Sequence, residues 1–207
     1  MLMSRNKGKL FVISGPSGAG KGTICGKLLE AENTDFSVSM TTREAREGEV
    51  HGKDYYFVTR EEFTASIEKG NFLEYAVVFD NMYGTPKDEV LKKLERGHNV
   101  ILDIDVQGAL QVKASMPEAV LIFILPPSLA VLRQRLTDRN TDAPDVIEKR
   151  LSKAVNEIKF IGEYDYYVIN DDLDTAVAEA EAIIAAEGRR VPDKVKPIIS
   201  KYENEGR

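Results

Sequence analysis

The sequence predicts an α/β fold of three layers, α/β/α, around a mainly parallel sheet, with a small β-rich insertion and a short lid. Short apolar runs alternate with longer segments of helical periodicity, which is the pattern of βαβ units. One segment of different character interrupts this alternation early in the chain, and a polar segment interrupts it later. A chain of 207 residues with 43% hydrophobic content is long enough to bury a core. We therefore expect a single domain, 1–207, with insertions rather than two independent domains.

Four apolar runs are predicted strands, and a predicted helix follows each of them. The strands are LFVIS at 10–14, NVILDID at 99–105, AVLIFIL at 119–125 and YYVIN at 166–170, and the helices cover about 21–31, 106–115, 128–138 and 173–186. The apolar strands read as buried on both faces, which is typical of a parallel sheet covered by helices.

Two segments do not fit this alternation. In the first, 36–85, the strand-like stretches FSVSM, DYYFV and FLEYAVVF are separated by polar turns, which predicts a small, largely β insertion. In the second, 137–147, the polar stretch TDRNTDAPDVI contains Pro144, which suits the first turn of a helix, and this stretch is a candidate lid. The predicted core consists of 9–35, 86–136 and 148–187. The remaining residues, 188–207, are expected to form a loosely held tail.

Composition argues against several classes of function. The formal net charge of −6 argues against a nucleic-acid-binding protein that works through a general basic surface. No window approaches the roughly 18 uninterrupted apolar residues of a membrane span, and the start, MLMSRNKGK, is too short and polar for a signal peptide. We therefore expect a cytoplasmic protein with no nucleic-acid or membrane partner. The single cysteine, Cys25, is expected to be buried in the first helix rather than to act as a nucleophile.

The stretch GPSGAGKGT, 15–23, follows the first predicted strand directly and opens the first predicted helix. Glycines let such a loop curl so that successive N–H groups point into one concavity, where phosphate oxygens bind. Lys21 supplies a compact positive charge, as in the P-loop pattern G-x-x-x-x-G-K-[ST]. That pattern next has a hydroxyl for Mg²⁺, where this chain has Gly22, so Thr23 or water is left to serve the ion. The loop leaves open whether the nucleotide is hydrolysed, switches a partner or donates phosphate.

A second candidate anion site lies in SVSMTTREAREGEVHGKDYY, 37–56. Arg43 and Arg46 are three residues apart and Tyr55 follows, so two guanidinium groups and a phenol could hold a phosphate monoester. The alternative is a solvated charged turn, because glutamates stand beside the arginines and could neutralise them. These glutamates are Glu44, Glu47 and Glu49.

Carboxylates from three other stretches bear on the identity of the second substrate. Asp103 and Asp105 end a predicted buried strand, and ligands of open α/β sheets bind beyond that end. Glu74 lies in FLEY, while Tyr83 and Thr85 lie in MYGT. Guanine presents N1–H and an exocyclic amino group on one edge, which a carboxylate accepts side by side. Adenine has an acceptor at N1 and no amino group at C2, so it would leave such a carboxylate unpaired.

These residues together resemble the guanylate kinase family, which phosphorylates GMP from ATP. The resemblance runs from about Lys9 to Ala186. It rests on GPSGAGKGT, SVSMTTREAREGE, GKDYYFV, NMYGT, ILDIDVQG and the RL…R…KRL region of the lid. This set of motifs is far more specific than the phosphate loop alone.

The resemblance implies a role for each matching position. The ATP-binding residues would be Gly15, Pro16, Ser17, Gly18, Ala19, Gly20, Lys21, Gly22, Thr23, Asn170 and Asp171, the last two near adenine. The GMP-binding residues would be Ser39, Glu74, Thr85 and Asp105 at guanine, Arg43, Arg46, Tyr55 and Tyr83 at the phosphate, and the supporting Glu49 and Asp103. Asp103 and Thr23 would approach Mg²⁺, through water. The catalytic residues would be Lys21, Arg43, Arg135, Arg139 and Arg150, the last three closing over the transferred group.

The implied reaction is direct in-line transfer from ATP to GMP, and to dGMP as well, with Mg²⁺ and without a covalent enzyme intermediate. Two alternatives stay open. The family's fold is also reused as a protein-interaction module, although such modules usually have eroded phosphate loops, and neighbouring kinases that act on AMP share the outline of the loop. One departure concerns the lid, which commonly reads G-R-G-T-E in the family and is Asp138-Arg139-Asn140-Thr141-Asp142 here. This difference bears on the flexibility of the lid.

Overall fold

The computed structural model describes residues 7–78, 80–138, 143–191, 195, 199–200 and 202–203. Its strands are β1 (Leu10–Ser14), β2 (Thr34–Phe36), β3 (Met40–Thr41), β4 (Tyr56–Phe57), β5 (Phe72–Val78), β6 (Asn81–Pro86), β7 (Asn99–Asp103), β8 (Val120–Leu125) and β9 (Tyr166–Ile169). Its helices are α1 (Lys21–Leu28), α2 (Arg60–Glu68), α3 (Lys87–Glu95), α4 (Val106–Ser115), α5 (Leu129–Asp138), α6 (Pro144–Ile158) and α7 (Leu173–Glu187), and a short 3₁₀ helix covers Lys159–Glu163.

The first sheet is parallel throughout and has the strand order β2-β7-β1-β8-β9. Its central strand, β1, pairs with β7 on one side and β8 on the other, so that Phe11 lies between Ile101 and Val120. The strands alternate with helices along the chain, as the sequence predicts, and the α/β fold class is confirmed. Because all five strands run the same way, their carboxyl ends form one edge, where the cleft of such a fold lies.

Side chains of β1 enter the core on both faces of the sheet. Phe11 and Ile13 pack with α1 and α7 on one face, and Leu10 and Val12 pack with α3 and α4 on the other. All four are almost fully buried, which explains why this strand has no polar alternation. Cys25 belongs to the first of these clusters, as expected, and burial raises the pKa of its thiol to about 12.

The helices that flank the candidate lid form a third, smaller cluster. It contains Leu132, Leu136, Ile147, Leu151 and Ala154, from α5 and α6. Pro144 occupies the first position of α6, as the sequence predicts, because proline there loses no helical hydrogen bond. Residues 139–142, including Arg139, lie outside the described residues.

A second sheet forms within residues 40–86 and has the order β4-β3-β6-β5. The stretch FSVSM is not one strand of it, and this prediction was wrong. Phe36 ends β2 in the first sheet and Met40 begins β3 in the second, because the chain crosses between the sheets at 37–39. The sequence analysis also left out α2, whose Thr59 forms a capping box with Glu62 and whose Phe63 stacks on Phe72 of β5.

No helix in the described residues is long and apolar enough to cross a bilayer.

The stacked pair of Phe63 and Phe72 predicts how α2 contributes to stability. Phe63 is fully buried and its ring centroid lies 4.5 Å from that of Phe72. We expect Phe63→Ala to lower the free energy of unfolding by about 3–5 kcal/mol in urea titrations, because the change leaves a cavity between α2 and β5. The control is Phe160→Ala, since Phe160 is exposed. Equal losses for the two variants would contradict this account of the second sheet.

Candidate active site

The phosphate loop joins the carboxyl end of β1 to the first turn of α1. Gly20 precedes the helix with φ of 93°, in the left-handed region, and no side chain caps the amino end of α1. The first-turn N–H groups of a helix have no partners within the helix. This loop therefore presents backbone donors and the positive end of the helix dipole, the arrangement that binds phosphate.

The loop favours glycine at three positions, Gly15, Gly18 and Gly20, where φ is 134°, 91° and 93°, in the left-handed region. At two of them a side chain also lies close to the backbone. A Cβ atom at Gly20 would lie 2.2 Å from Nδ2 of Asn170, and a Cβ atom at Gly18 would lie 2.9 Å from Cδ1 of Leu132. The first contact comes from the end of β9 and the second from α5. Both neighbours could approach the loop only because no side chain stands between them and its backbone.

Lys21 is folded back onto the loop that precedes it. Its Nζ donates to the carbonyl oxygen of Gly15 at 2.6 Å and to that of Pro16 at 3.1 Å. Burial lowers the pKa of Lys21, and the carboxylates of Asp103 and Glu157 oppose this effect. The ammonium is thus held in a partly desolvated position, where its attraction to an anion is stronger than in water.

Asp103 lies at the end of β7, beside the first turn of α1. A Cβ atom at Gly22 would lie 3.6 Å from Oδ2 of Asp103, so the missing side chain leaves open space next to this carboxylate. Burial raises the pKa of Asp103, whereas Lys21 lowers it. Thr23 is exposed in the same turn of the helix.

Glu74, Thr85 and Asp105 converge beside α4. Thr85 donates its hydroxyl to Oε1 of Glu74 at 2.6 Å, and Glu74 is only 7% exposed. Oε2 of Glu74 lies 3.2 Å from the place of a Cβ atom at Gly108, whose N–H donates to Oδ1 of Asp105 at 2.9 Å. Burial raises the pKa of Glu74 and the nearby charge of Asp105 raises it further, while Thr85 opposes the shift. Glu74 is thus shielded from water, whereas Asp105 beside it is exposed at the start of α4.

Arg43 and Glu49 form the centre of the arginine-rich turn. Nη2 of Arg43 donates to Oε1 of Glu49 at 2.8 Å, and the other oxygen of Glu49 accepts from the backbone N–H of Arg46 at 2.8 Å. Glu49 neutralises Arg43, as the alternative interpretation of this turn anticipates. Glu44 accepts a hydrogen bond from Arg43 through its backbone carbonyl, and Arg46 is exposed.

Aromatic rings support this turn from the second sheet. Arg43 lies 5.5 Å above the ring of Tyr55, and Tyr55 meets Tyr83 edge to face at 6.0 Å. Ser39 is half-buried just before β3, and its carbonyl accepts from the N–H of Tyr56 at 2.9 Å. The structure therefore brings Arg43, Tyr55 and Tyr83 into one cluster.

The remaining predicted residues lie around the ends of α5, α6 and β9. Arg135 donates from Nη2 to the carbonyl oxygen of Asn170 at 2.9 Å. Its Nη1 is buried and finds no hydrogen-bond partner in the described part of the chain. Arg150 is half-buried on α6, and Asp171 is exposed after Asn170. A buried guanidinium nitrogen without an acceptor is suited to an anionic ligand.

Two residues that the sequence analysis did not single out also contribute to the cleft. Burial raises the pKa of Glu157, opposed by Lys153 and by Lys21, so the charge of this carboxylate on α6 interacts with the lysine of the phosphate loop. Gln111 of α4 exchanges hydrogen bonds with the backbone of Tyr75, at 3.1 and 3.2 Å, and so satisfies the edge of β5. The sequence does not reveal the role of Glu157, because this residue follows Lys153 by four positions and so resembles one member of a surface ion pair.

Comparisons with known proteins agree with this arrangement. The family model described as guanylate kinase matches residues 7–187. The chain is 50% identical over 200 residues to a guanylate kinase of Clostridioides difficile, covering 96% of this chain and 98% of that protein. It is 52% identical over 202 residues to one from Caldanaerobacter subterraneus, covering 97% and 98%. The crystal structure of guanylate kinase from Anaplasma phagocytophilum superposes with a TM-score of 0.72 at 38% identity, covering 92% of this chain and 91% of that one. The phosphate loop, the second sheet and the full-length similarity together establish that this chain belongs to the guanylate kinase family.

Proposed function

We propose that this protein transfers the γ-phosphoryl group of ATP to GMP, giving ADP and GDP. The observation that carries this proposal is the buried carboxylate of Glu74, held by Thr85 with Asp105 beside it. The N1–H and amino group of guanine would supply the donors that these carboxylates accept. Adenine supplies an acceptor at N1 and no amino group at C2, so it would leave a desolvated carboxylate unpaired. Sites that reject a ligand in this way discriminate by about 10⁴ or more.

The phosphate of GMP would be held by Arg43, Arg46, Tyr55 and Tyr83. Support comes from Glu49, which bonds the side chain of Arg43 and the backbone of Arg46. These bonds order the turn before the substrate arrives, so less conformational entropy is lost on binding. The exposed side chain of Arg46 is then available to the incoming phosphate. Ser39 would complete the guanine site.

The triphosphate of ATP would occupy the phosphate loop, where Lys21 and the amino end of α1 supply positive charge. Arg135, whose buried Nη1 has no partner among the described residues, supports charge stabilisation of the transferred group from the side of α5. Arg139 would add to this from the lid and Arg150 from α6, and Asp171 would lie near adenine. Phosphoryl transfer requires mainly positioning and charge stabilisation, so no covalent intermediate or strong base is needed. Exclusion of water by the lid would prevent hydrolysis.

The residues beside the loop fit a magnesium ion that accompanies ATP. Asp103 presents a desolvated carboxylate next to the space left by Gly22, and Thr23 stands in the same turn of α1. No three acidic, histidine or cysteine side chains form a metal cluster in the residues that the structure describes. Asp103 and Thr23 would therefore hold the ion through water, with phosphate oxygens as its other ligands, and the ion would neutralise phosphate charge.

An assay with several nucleoside monophosphates as phosphate acceptors tests the proposed function directly. We expect purified protein with ATP and Mg²⁺ to release ADP in a coupled assay when GMP or dGMP is present. Activity with AMP, CMP or UMP should be lower in kcat/KM, by about 10⁴ for AMP, because adenine leaves Glu74 unpaired. A preference for AMP over GMP would overturn the proposal.

The buried lysine of the phosphate loop is expected to be essential for turnover. Lys21→Ala should lower kcat by about 10³ or more, since a preorganised charge at the transferred group is lost. Its thermal unfolding midpoint should stay close to that of the wild type. Lys27→Ala is the matched control, because Lys27 lies on the same helix and pairs with the surface residue Glu30. Near-normal kcat in Lys21→Ala would refute the assigned role.

The carboxylate of Glu74 is expected to control efficiency with GMP rather than binding of ATP. Glu74→Gln should lower kcat/KM for GMP by at least about 100-fold, because the new amide donor faces the donors of guanine. The KM for ATP should change little. Glu61→Gln, on the exposed side of α2, is the control. Equal losses toward both substrates would count against a role at the base.

A further inference from the structure

Asn170 occupies a position where the first sheet, the phosphate loop and α5 meet. It follows β9 directly, and its backbone N–H donates to the carbonyl oxygen of Leu125 at 2.8 Å, which extends the pairing of β8 with β9 by one bond. Only 6% of the residue is exposed. The backbone of Asn170 is therefore fixed by the sheet rather than by a flexible loop.

The side chain of Asn170 binds the phosphate loop itself. Its Nδ2 donates to the carbonyl oxygen of Ala19 at 2.7 Å, in a buried hydrogen bond between residues 151 positions apart. The amide reaches this carbonyl because Gly20 has no side chain, since a Cβ atom there would lie 2.2 Å from Nδ2. This contact holds the backbone immediately before the first turn of α1, where the phosphate-binding N–H groups begin.

The backbone carbonyl of Asn170 accepts from Arg135 on the opposite side. Arg135 lies on α5, and Leu132 of the same helix lies against Gly18 of the loop. The helix that leads into the lid thus contacts the phosphate loop directly and also through Asn170. Asn170 therefore aligns the loop that would receive the triphosphate with Arg135, which would act on the transferred group.

We infer that Asn170 is a positioning residue that holds the phosphate loop through Ala19 and aligns Arg135 with it, a role that does not depend on contact with adenine. Its amide nitrogen donates to a backbone carbonyl of the loop, so this hydrogen bond acts on the part of the site that would receive the phosphates. The role of Asn170 rests on the proposed function, because it assumes that the loop receives ATP. Its effect concerns phosphate and is independent of the base.

The test uses inorganic tripolyphosphate, which has phosphates but no base. We expect Asn170→Ala to raise the KM for ATP roughly tenfold and to raise the inhibition constant of tripolyphosphate, measured against ATP with saturating GMP, by the same factor. The kcat should fall less, because the backbone carbonyl that holds Arg135 remains. Asn170→Leu has a similar volume and no donor, and should behave like Asn170→Ala.

Two outcomes would overturn this role. A higher KM for ATP with an unchanged inhibition constant for tripolyphosphate would mean that Asn170 contacts adenine. Wild-type constants in Asn170→Leu would mean that the residue acts only through packing. The matched control is Asn99→Ala, which removes the hydrogen bond from the Lys9 N–H to Oδ1 of Asn99 at the opposite edge of the sheet and should leave both constants unchanged.

Turnover of the wild type separates this inference from the proposed function. If the wild type converts GMP but the variants bind tripolyphosphate normally, only the role of Asn170 fails. If the wild type does not convert GMP, the proposed function fails. Calorimetric titration of tripolyphosphate into the wild type and the same variants then still tests whether Asn170 holds the phosphate loop.

Discussion

The cleft depends on one constraint, which is that the phosphate loop must expose its backbone while both of its ends are fixed. β1 is buried on both faces and fixes the start of the loop, and α1 packs in the same core and fixes its end. Between them the loop has close neighbours where it has glycine, with Leu132 at Gly18 and Asn170 at Gly20. A backbone held in this way presents its N–H groups without reorganisation, which is the main source of electrostatic stabilisation in transfer reactions.

Charge in the cleft is balanced rather than simply positive, in keeping with the acidic composition of the chain. Lys21 interacts with Asp103 and Glu157. Burial lowers the pKa of Lys21 and raises the pKa of Asp103 and of Glu157, which favours the neutral form of each group. Glu74 and Asp105 add negative charge on the side of α4. A site of this kind attracts phosphate at the loop, at Arg135 and at the arginine-rich turn. Elsewhere it favours groups that donate hydrogen bonds, and this division is what a guanine nucleotide requires.

The two sheets contribute to the cleft in different ways. The first sheet has a large core on both faces and supplies Asp103 and Asn170 from the carboxyl ends of β7 and β9, while Lys21 begins the helix that follows β1. The second sheet pairs two longer strands, β5 and β6, with the two-residue strands β3 and β4, and specific contacts support it, such as the stack of Phe63 on Phe72 and the hydrogen bonds of Gln111 to the edge of β5. Elements with few buried contacts open at lower free-energy cost. The arginine-rich turn is half-buried or exposed, whereas Glu74 is buried, so this turn opens at lower cost than the site of Glu74.

The sequence by itself determined the strand and helix alternation of the first sheet, the phosphate loop, the burial of Cys25 and the start of α6 at Pro144, because these features follow from local periodicity and from the conformations open to glycine and proline. Only the tertiary structure decided where FSVSM divides between the two sheets, that the charge of Glu157 interacts with that of Lys21, and that the amide of Asn170 donates to the carbonyl of Ala19. These features join residues that are far apart in the chain, and no spacing records them. The packing of helices on the sheet determines which partners these side chains meet. In the sequence alone, Glu157 cannot be told from a surface charge, nor Asn170 from an amide in a loop.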